Sequence, residues 1–193
     1  MRELVRVYGI EDLPTIADLD PYLLGSTSSV FGRSGEYGVR DGYLPRTAHD
    51  VDARLAEALT GGSLVVVVGP SKAGKTRTLF EAVRAHDSGA RVVWPVTDGI
   101  RELAVHPRIA TSTDPLVVWL DDLHEYLAGP TGLTPAVLAR LTTRPGPTVV
   151  VATLRSEMRA QLRARWWRVA TRHPDAARAG RDRRSGFYQR GLR

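Results

Sequence analysis

Four apolar runs, each nearly continuous in β-branched residues, divide the middle of the chain. They are Leu64 to Val68, Arg91 to Val96, Leu116 to Leu120 and Thr148 to Thr153. Runs without polar alternation are typical of strands that are buried on both faces, as in a parallel sheet. Helical or turn patterns separate them. The sequence therefore predicts an α/β fold with three layers and a mostly parallel sheet of about four core strands.

Apolar residues spaced three and four apart predict the helices. A helix with Val51, Leu55 and Leu59 on one face precedes the first strand and ends at the glycine pair 61–62. The helix before the last strand starts with Thr-Pro, as helix N-termini often do. The helices predicted after the first strand are Thr76 to Ala85, Ile100 to Val105 and Thr134 to Leu141.

The pattern divides the chain into three predicted regions, of which the two outer ones are less regular. Residues 1–42 are rich in Gly, Ser and Asp, so we expect a poorly ordered N-terminal extension in which Ile10 to Leu24 forms one helix or turn. Residues 43–155 form the predicted core domain. Residues 156–193 are arginine-rich and form a tail that is helical or disordered. Its only helical stripe consists of Met158, Leu162, Trp166 and Val169.

Composition excludes several classes of protein. A chain of 193 residues with 42% hydrophobic content can bury one domain core, and the absence of cysteine excludes disulfides and thiolate metal sites. The histidines show no ligand-like spacing, so structural zinc is not expected. No apolar run approaches the roughly 18 residues of a membrane span, and the N-terminus lacks the apolar stretch of a signal peptide. We expect a cytoplasmic protein.

The net charge of +6 is unevenly distributed. The residues from Arg155 to the end include 12 arginines and three carboxylates, so they carry +9 and the first 154 residues carry −3. Any attraction to nucleic acid or to an anionic surface would therefore belong to the tail, where Trp166 and Trp167 could stack on bases. The alternative is that these arginines reflect coding bias, since only two of the 27 basic residues are lysines.

Both lysines lie in a glycine-rich loop, residues 69–76, between the first predicted strand and the next helix. Such a loop aims several backbone N–H groups at one point, where a polyphosphate binds. Lys75 would reach the terminal phosphates, and the Thr76 hydroxyl would bind Mg²⁺. A chance match in a turn is the alternative. The predicted nucleotide-binding residues are Gly69, Pro70, Ser71, Lys72, Ala73, Gly74, Lys75, Thr76 and the adjoining Arg77.

Polar residues end two of the other predicted strands, at the sheet edge where ligands of parallel sheets gather. Asp121 would hold Mg²⁺ through water, and Asp122 or Glu125 would orient or deprotonate an attacking water. Asp122 could instead only cap the next helical turn. Thr153 could hydrogen-bond water, and Arg155 could sense the terminal phosphate or simply begin the basic tail. Lys75, Asp122 and Arg155 are thus the candidate catalytic residues.

The loop, the strand that ends in Asp-Asp and the strand that ends in Thr-x-Arg occur in an order that resembles the STAND class of P-loop NTPases, relatives of AAA+ proteins. More narrowly, residues 43–46 (Tyr-Leu-Pro-Arg), the loop itself and residues 119–123 (Trp-Leu-Asp-Asp-Leu) are similar to the ATP-binding module of large actinobacterial proteins that often carry tetratricopeptide repeats. The resemblance covers roughly residues 42–155. It implies that Leu44 to Arg46 lie near adenine and that Arg155 is a phosphate sensor.

The resemblance also implies parts that this chain does not show after Arg155: a fifth strand, a helical lid and an effector or repeat region. We therefore expect a truncated or frame-shifted copy whose protein partner or effector module lies outside this chain. In the strand order 5-1-4-3-2 that such sheets use, the first strand would lie at an open edge, which predicts marginal stability or aggregation. Without a lid, ATP binding would survive while hydrolysis is slow or absent.

Three hypotheses follow for function. The first is an ATP- and Mg²⁺-binding switch domain, with ATPase activity left open and ATP not separable from GTP by the loop alone. The second is a binder of nucleic acid or an anionic surface through the tail. The third is a nonfunctional fragment. For Trp94 and Trp119 we expect core packing rather than ligand stacking.

Overall fold

The structure is a computed structural model that describes residues 4–27, 42–46, 50–129 and 131–159. Four strands form one sheet in which every pairing is parallel, in the order β1-β4-β3-β2. The α/β class, the four strands and their parallel arrangement are therefore confirmed. The strands are β1 (Leu64–Gly69), β2 (Arg91–Val93), β3 (Leu116–Leu120) and β4 (Thr148–Arg155).

Helices connect these strands and lie close to their predicted positions. Thr134 caps the helix before β4 by accepting a hydrogen bond from the backbone N–H of Val137, and Pro135 occupies its first turn. The short helix at residues 107–110 was not predicted, and the one at residues 123–126 corresponds to the helical turn considered after Asp122. The helices are α1 (Val51–Gly61), α2 (Lys75–His86), α3 (Ile100–Leu103), α4 (Pro107–Ala110), α5 (Leu123–Tyr126) and α6 (Pro135–Thr142).

Both faces of the sheet are covered, which makes the architecture three-layered. Alternate residues of β3 face opposite sides: Val118 packs in one buried cluster with residues of α3 to α6, and Val117 packs in the other with residues of α1 and α2. Trp119 is fully buried in the second cluster, and Trp94 is partly buried against both. Core packing of both tryptophans is confirmed. This double burial explains why the strands read as continuous apolar runs.

Strand β2 is shorter than its apolar run. It ends at Val93, because Pro95 has no N–H to donate to a ladder with β3. Beyond Val93 the chain pairs with the N-terminal segment, residues 4–27. Pro95 forms an antiparallel bridge with Val5, and the backbone N–H of Val96 donates to the Leu4 carbonyl at 3.0 Å.

The N-terminal segment packs into the core, which the sequence pattern did not predict. It continues past β2 to a second bridge, Thr15 with Arg91, and then forms two 3₁₀ helices, Ile16–Asp18 and Pro21–Leu24. The expectation of one helix or turn over residues 10–24 is corrected accordingly. Ile16 and Leu24 are 0% and 1% exposed within the cluster that covers α1 and α2. These residues therefore belong structurally with the core domain.

A buried arginine closes the end of the sheet where the strands begin. Arg144, after α6, is 8% exposed, and its guanidinium donates to the carbonyls of Ile109 (2.9 Å), Ser112 (2.8 Å) and Asp114 (2.9 Å) and to the Thr148 hydroxyl (2.9 Å). Because every one of these partners is a neutral oxygen, burial lowers the pKa of Arg144, which nearby Asp114 opposes. Arg144 thus ties the loop before β3 to the start of β4.

Residues 156–159 continue helically from β4, and Met158 packs partly buried against the core. The predicted stripe residues Leu162, Trp166 and Val169, and most of the predicted tail, lie outside the described residues. Within the described sheet β1 lies at one edge, as expected from the strand order. The low stability inferred from that edge stays a prediction. Of the helices within these ranges, none has both the length and the apolar character that crossing a bilayer requires.

Candidate functional site

The glycine-rich loop joins the end of β1 at Gly69 to the start of α2 at Lys75. Its turn places two residues in the left-handed region, Lys72 with φ 59° and Gly74 with φ 73°. Glycine adopts this backbone conformation without steric cost, and a Cβ at position 74 would displace the Arg46 guanidinium from the loop. The first turn of α2 contains no acidic residue. The positive end of the helix dipole, at the first N–H groups of α2, therefore faces the loop with no carboxylate from that turn to offset it.

Two cations fold onto the carbonyl oxygens of this loop. The Lys75 ammonium donates to the Pro70 carbonyl at 2.9 Å, and the Arg46 guanidinium donates to the Ala73 carbonyl at 2.6 Å. Ser71 and Lys72 are exposed at the tip of the turn. Both cations are thus held beside the loop by neutral oxygens, and a phosphate would bind them more strongly because its oxygens are charged.

Residues 42–46 are fixed beside the loop by the start of α1. The Asp52 carboxylate accepts hydrogen bonds from the Tyr43 hydroxyl at 2.7 Å and from the backbone N–H of Arg46 at 2.8 Å. Leu44 is 85% exposed. The structure therefore brings Arg46 to the loop and leaves an apolar side chain uncovered next to it.

Asp121, directly after β3, lies opposite the start of α2. One of its carboxylate oxygens, Oδ1, accepts from the Thr76 hydroxyl at 3.0 Å and from the Thr153 hydroxyl at 2.7 Å. Thr153 is buried in β4, and its hydroxyl also accepts from the backbone N–H of Asp122 at 2.9 Å. The predicted metal residues Thr76 and Asp121 are thus in direct contact, although they come from separate motifs.

Burial raises the pKa of Asp121 above its ordinary value of 3.8, and the nearby Asp122 carboxylate acts in the same direction. The hydroxyls of Thr153 and Thr76 and the Lys75 ammonium act against that shift, because they favour the ionised form. Because the pKa stays raised, these contacts do not fully compensate for the burial of the Asp121 carboxylate, and a cation beside it would favour its ionised form.

Asp122 and Arg155 form a two-point ion pair. The Arg155 guanidinium donates to the two Asp122 carboxylate oxygens at 2.8 and 3.3 Å, and this contact raises the pKa of Arg155. Asp122 starts α5 in a left-handed conformation, but its side chain makes no capping hydrogen bond. The Asp122 side chain therefore pairs with Arg155 instead of capping α5. Arg155 is the last residue of β4 and belongs to the sheet.

Two predicted or considered residues point elsewhere. Arg77 pairs with Glu81 one turn further along α2, at 2.8 Å, and so lies along the helix surface. Glu125 is half exposed and lies 3.7 Å from the Arg6 guanidinium. Of the two acids considered for positioning water, Asp122 is the one that adjoins Asp121 and Arg155.

Sequence reasoning missed one neighbour of the acidic site, the turn at Leu24 and Gly25. A Cβ added to Gly25 would overlap with Asp121 Oδ2 and lie 3.0 Å from its Cγ. No motif marks this contact, because Gly25 is an isolated glycine in a stretch without periodicity. A glycine at the end of a Pro-started turn was the one available signal.

The oxygen atoms of Thr76 and Asp121 are hard ligands that suit Mg²⁺. Within the described residues no three His, Cys, Asp or Glu side chains gather as metal ligands. A metal here would therefore take its remaining ligands from phosphate and water, which is the usual coordination of Mg²⁺ beside a nucleotide. The donor set fits a magnesium–nucleotide complex and does not fit a protein-only metal centre.

Comparison of this chain with protein-family models, with curated proteins and with solved structures gives no match. The resemblance to STAND NTPases stays a prediction, and the assignment of function depends on the site itself.

Proposed function

We propose that this chain binds ATP together with Mg²⁺ at the glycine-rich loop, and that it acts as a nucleotide-dependent switch with slow or absent hydrolysis. One observation carries the proposal: the Thr76 hydroxyl and the Asp121 carboxylate, 45 residues apart in the chain, meet at 3.0 Å beside the loop. A loop between a strand and a helix would bind phosphate, and the pair of oxygens beside it would bind Mg²⁺. Together they form the two halves of one binding site.

The loop residues would bind the phosphates. The backbone N–H groups of the loop after Pro70, apart from that of Ala73, which donates to the Pro70 carbonyl, would bind the anion together with the N-terminus of α2, and Lys75 would exchange the Pro70 carbonyl for a phosphate oxygen. Arg46 is held at the same loop by Ala73 and supplies a second positive charge. Since no acid lies in the first turn of α2, no side chain there competes with the phosphates.

Thr76 would hold Mg²⁺ directly and Asp121 would hold it through water. When bound, the ion neutralises phosphate charge and keeps the terminal phosphates in one orientation. Thr153 keeps Asp121 oriented from the side of β4 through its 2.7 Å hydrogen bond. These residues account for binding without any proton transfer.

Slow hydrolysis is expected for as long as the Asp122–Arg155 pair stays formed. Both carboxylate oxygens of Asp122 accept hydrogen bonds from the Arg155 guanidinium, so neither oxygen is free to contact an attacking water while this pair is formed. Arg155 is half exposed, however, and an ion pair with such an exposed partner is screened by solvent and is weak. A terminal phosphate could therefore draw Arg155 away from Asp122, which would couple nucleotide binding to a rearrangement at the end of β4.

The test is equilibrium binding of a fluorescent ATP analogue with Mg²⁺, competed by ATP and by GTP, for the wild-type chain and for Lys75→Ala. Loss of a charge-assisted contact worth about 1.5–3 kcal/mol should weaken binding by roughly 10- to 150-fold. Arg140→Ala is the matched control, since it removes one positive charge from an exposed site on α6.

We expect the control to bind like the wild type and ATP to compete better than GTP. Absence of saturable binding by a wild-type chain that melts cooperatively would refute the proposal. Equal binding by Lys75→Ala and the wild type would show that the analogue binds outside the loop.

A further inference from the structure

The turn at Leu24 and Gly25 is held in place from the core. The second 3₁₀ helix ends at Gly25, whose φ of 94° is in the left-handed region. The indole N–H of Trp119 donates to the Leu24 carbonyl at 3.1 Å, and Trp119 is itself fully buried in β3. The turn is therefore hydrogen-bonded to β3, at a residue only two positions before Asp121.

Gly25 and the two threonines enclose the Asp121 carboxylate. Oδ1 accepts hydrogen bonds from the hydroxyls of Thr76 and Thr153. Oδ2 lies beside Gly25, in the space that a Cβ at position 25 would fill. Rotation of the carboxylate away from Thr76 is opposed by the Gly25 backbone. Any side chain at position 25 would have to move either the turn or Asp121.

We propose that Gly25 is a positioning residue for Mg²⁺: it fixes the orientation in which Asp121 presents oxygen next to Thr76. This inference rests on the proposed function. Mg²⁺ requires nearly octahedral coordination and keeps several of its waters, so the water that Asp121 would hold on the ion stays in place only if the carboxylate keeps its orientation; a displaced carboxylate loses metal affinity even when its charge is kept. The N-terminal segment thus contributes to metal binding although it supplies no ligand.

The test compares Gly25→Ala with Gly129→Ala. Both glycines have positive φ, 94° and 75°, so alanine strains the backbone in both, but a Cβ at position 129 meets nothing within 4 Å. A fluorescent ATP analogue is titrated with Mg²⁺, and its binding is measured again in EDTA. We expect the half-saturating Mg²⁺ concentration to rise at least tenfold in Gly25→Ala and to stay within twofold of wild type in Gly129→Ala. Metal-free binding should be alike in all three proteins.

Melting curves without nucleotide show whether both variants fold. If Gly25→Ala does not fold, Trp119→Phe replaces it: this variant loses the hydrogen bond to Leu24 and should raise the Mg²⁺ midpoint severalfold. An unchanged midpoint in that variant would overturn the inference.

The two proposals fail in different ways. A wild-type chain that binds no ATP analogue, with or without Mg²⁺, overturns the proposed function and the role of Gly25 with it. A wild-type chain with Mg²⁺-dependent binding, together with a Gly25→Ala midpoint equal to that of Gly129→Ala, overturns only the role of Gly25.

Discussion

Replacing Thr153 by valine tests the hydroxyl that joins the two acidic residues. Thr153 is 2% exposed, donates to Asp121 at 2.7 Å and accepts from the backbone N–H of Asp122 at 2.9 Å. Thr153→Val keeps the branched shape and removes both hydrogen bonds. Thr153→Ser is the matched control, because it keeps the hydroxyl and loses only a methyl group.

The expected size follows from these contacts. The bond to the ionised carboxylate contributes about 1.5–3 kcal/mol, and leaving the Asp122 N–H without a partner costs about 1–3 kcal/mol. The added methyl group of valine offsets about 0.8 kcal/mol of this. We expect Thr153→Val to lower the free energy of unfolding by about 2–5 kcal/mol, and Thr153→Ser to lower it by about 1 kcal/mol.

Urea unfolding at pH 7 measures this difference, and thermal melting provides a second reading at about 2–4 °C per kcal/mol for a chain of this length. The difference between the two variants should shrink as pH falls through the pKa of Asp121, because a protonated carboxyl accepts a weaker hydrogen bond from serine. A valine variant as stable as the serine variant at pH 7 would refute this account of the network.

Two further predictions concern buried charge. Burial raises the pKa of Asp121 above 3.8, so the stability that this group contributes is complete below pH 3.8 and is lost as pH rises through the raised pKa. Asp121→Asn should therefore have a higher melting temperature than the wild type at pH 7 and lose that advantage near pH 3. It should also weaken Mg²⁺-dependent ATP binding. A melting temperature below that of the wild type at pH 7 would contradict burial as the cause of the raised pKa. Arg144→Met should lower the free energy of unfolding by about 3 kcal/mol or more, since it leaves the carbonyls of Ile109, Ser112 and Asp114 without their donor at about 1–3 kcal/mol each. Urea unfolding measures this loss, and a loss below about 1 kcal/mol would mean that water satisfies these carbonyls.

The sheet could be predicted because its strands are buried on both faces. Runs such as Leu116–Leu120 have no polar alternation, which is typical of strands in a parallel sheet that is covered on both faces. The glycine-rich loop and the carboxylate after β3 could be located for a related reason. The carboxyl ends of parallel strands share one edge, so residues that end separate runs must meet there.

The N-terminal segment could not be predicted from pattern. Ile16 and Leu24 lie in 3₁₀ turns of three and four residues, which are too short to show a helical period. The contact of Gly25 with Asp121 depends on residues far apart in the chain, and no local preference records it. The end of β2 was missed for a simpler reason. Val96 extends the apolar run, but Pro95 cannot continue the ladder.

The strand order also determines when each strand can pair while the chain is being synthesised. Among the described strands, β1 is made first but pairs only with β4, which is made last. The Trp119 indole, which donates to the Leu24 carbonyl, is synthesised 95 residues after Leu24. At roughly 5–20 residues per second the ribosome needs about 5–20 s to supply that partner. The apolar strand that carries the glycine-rich loop thus has no partner in this sheet until β4 has been made, and this interval is when a chaperone or a second nascent chain would meet it.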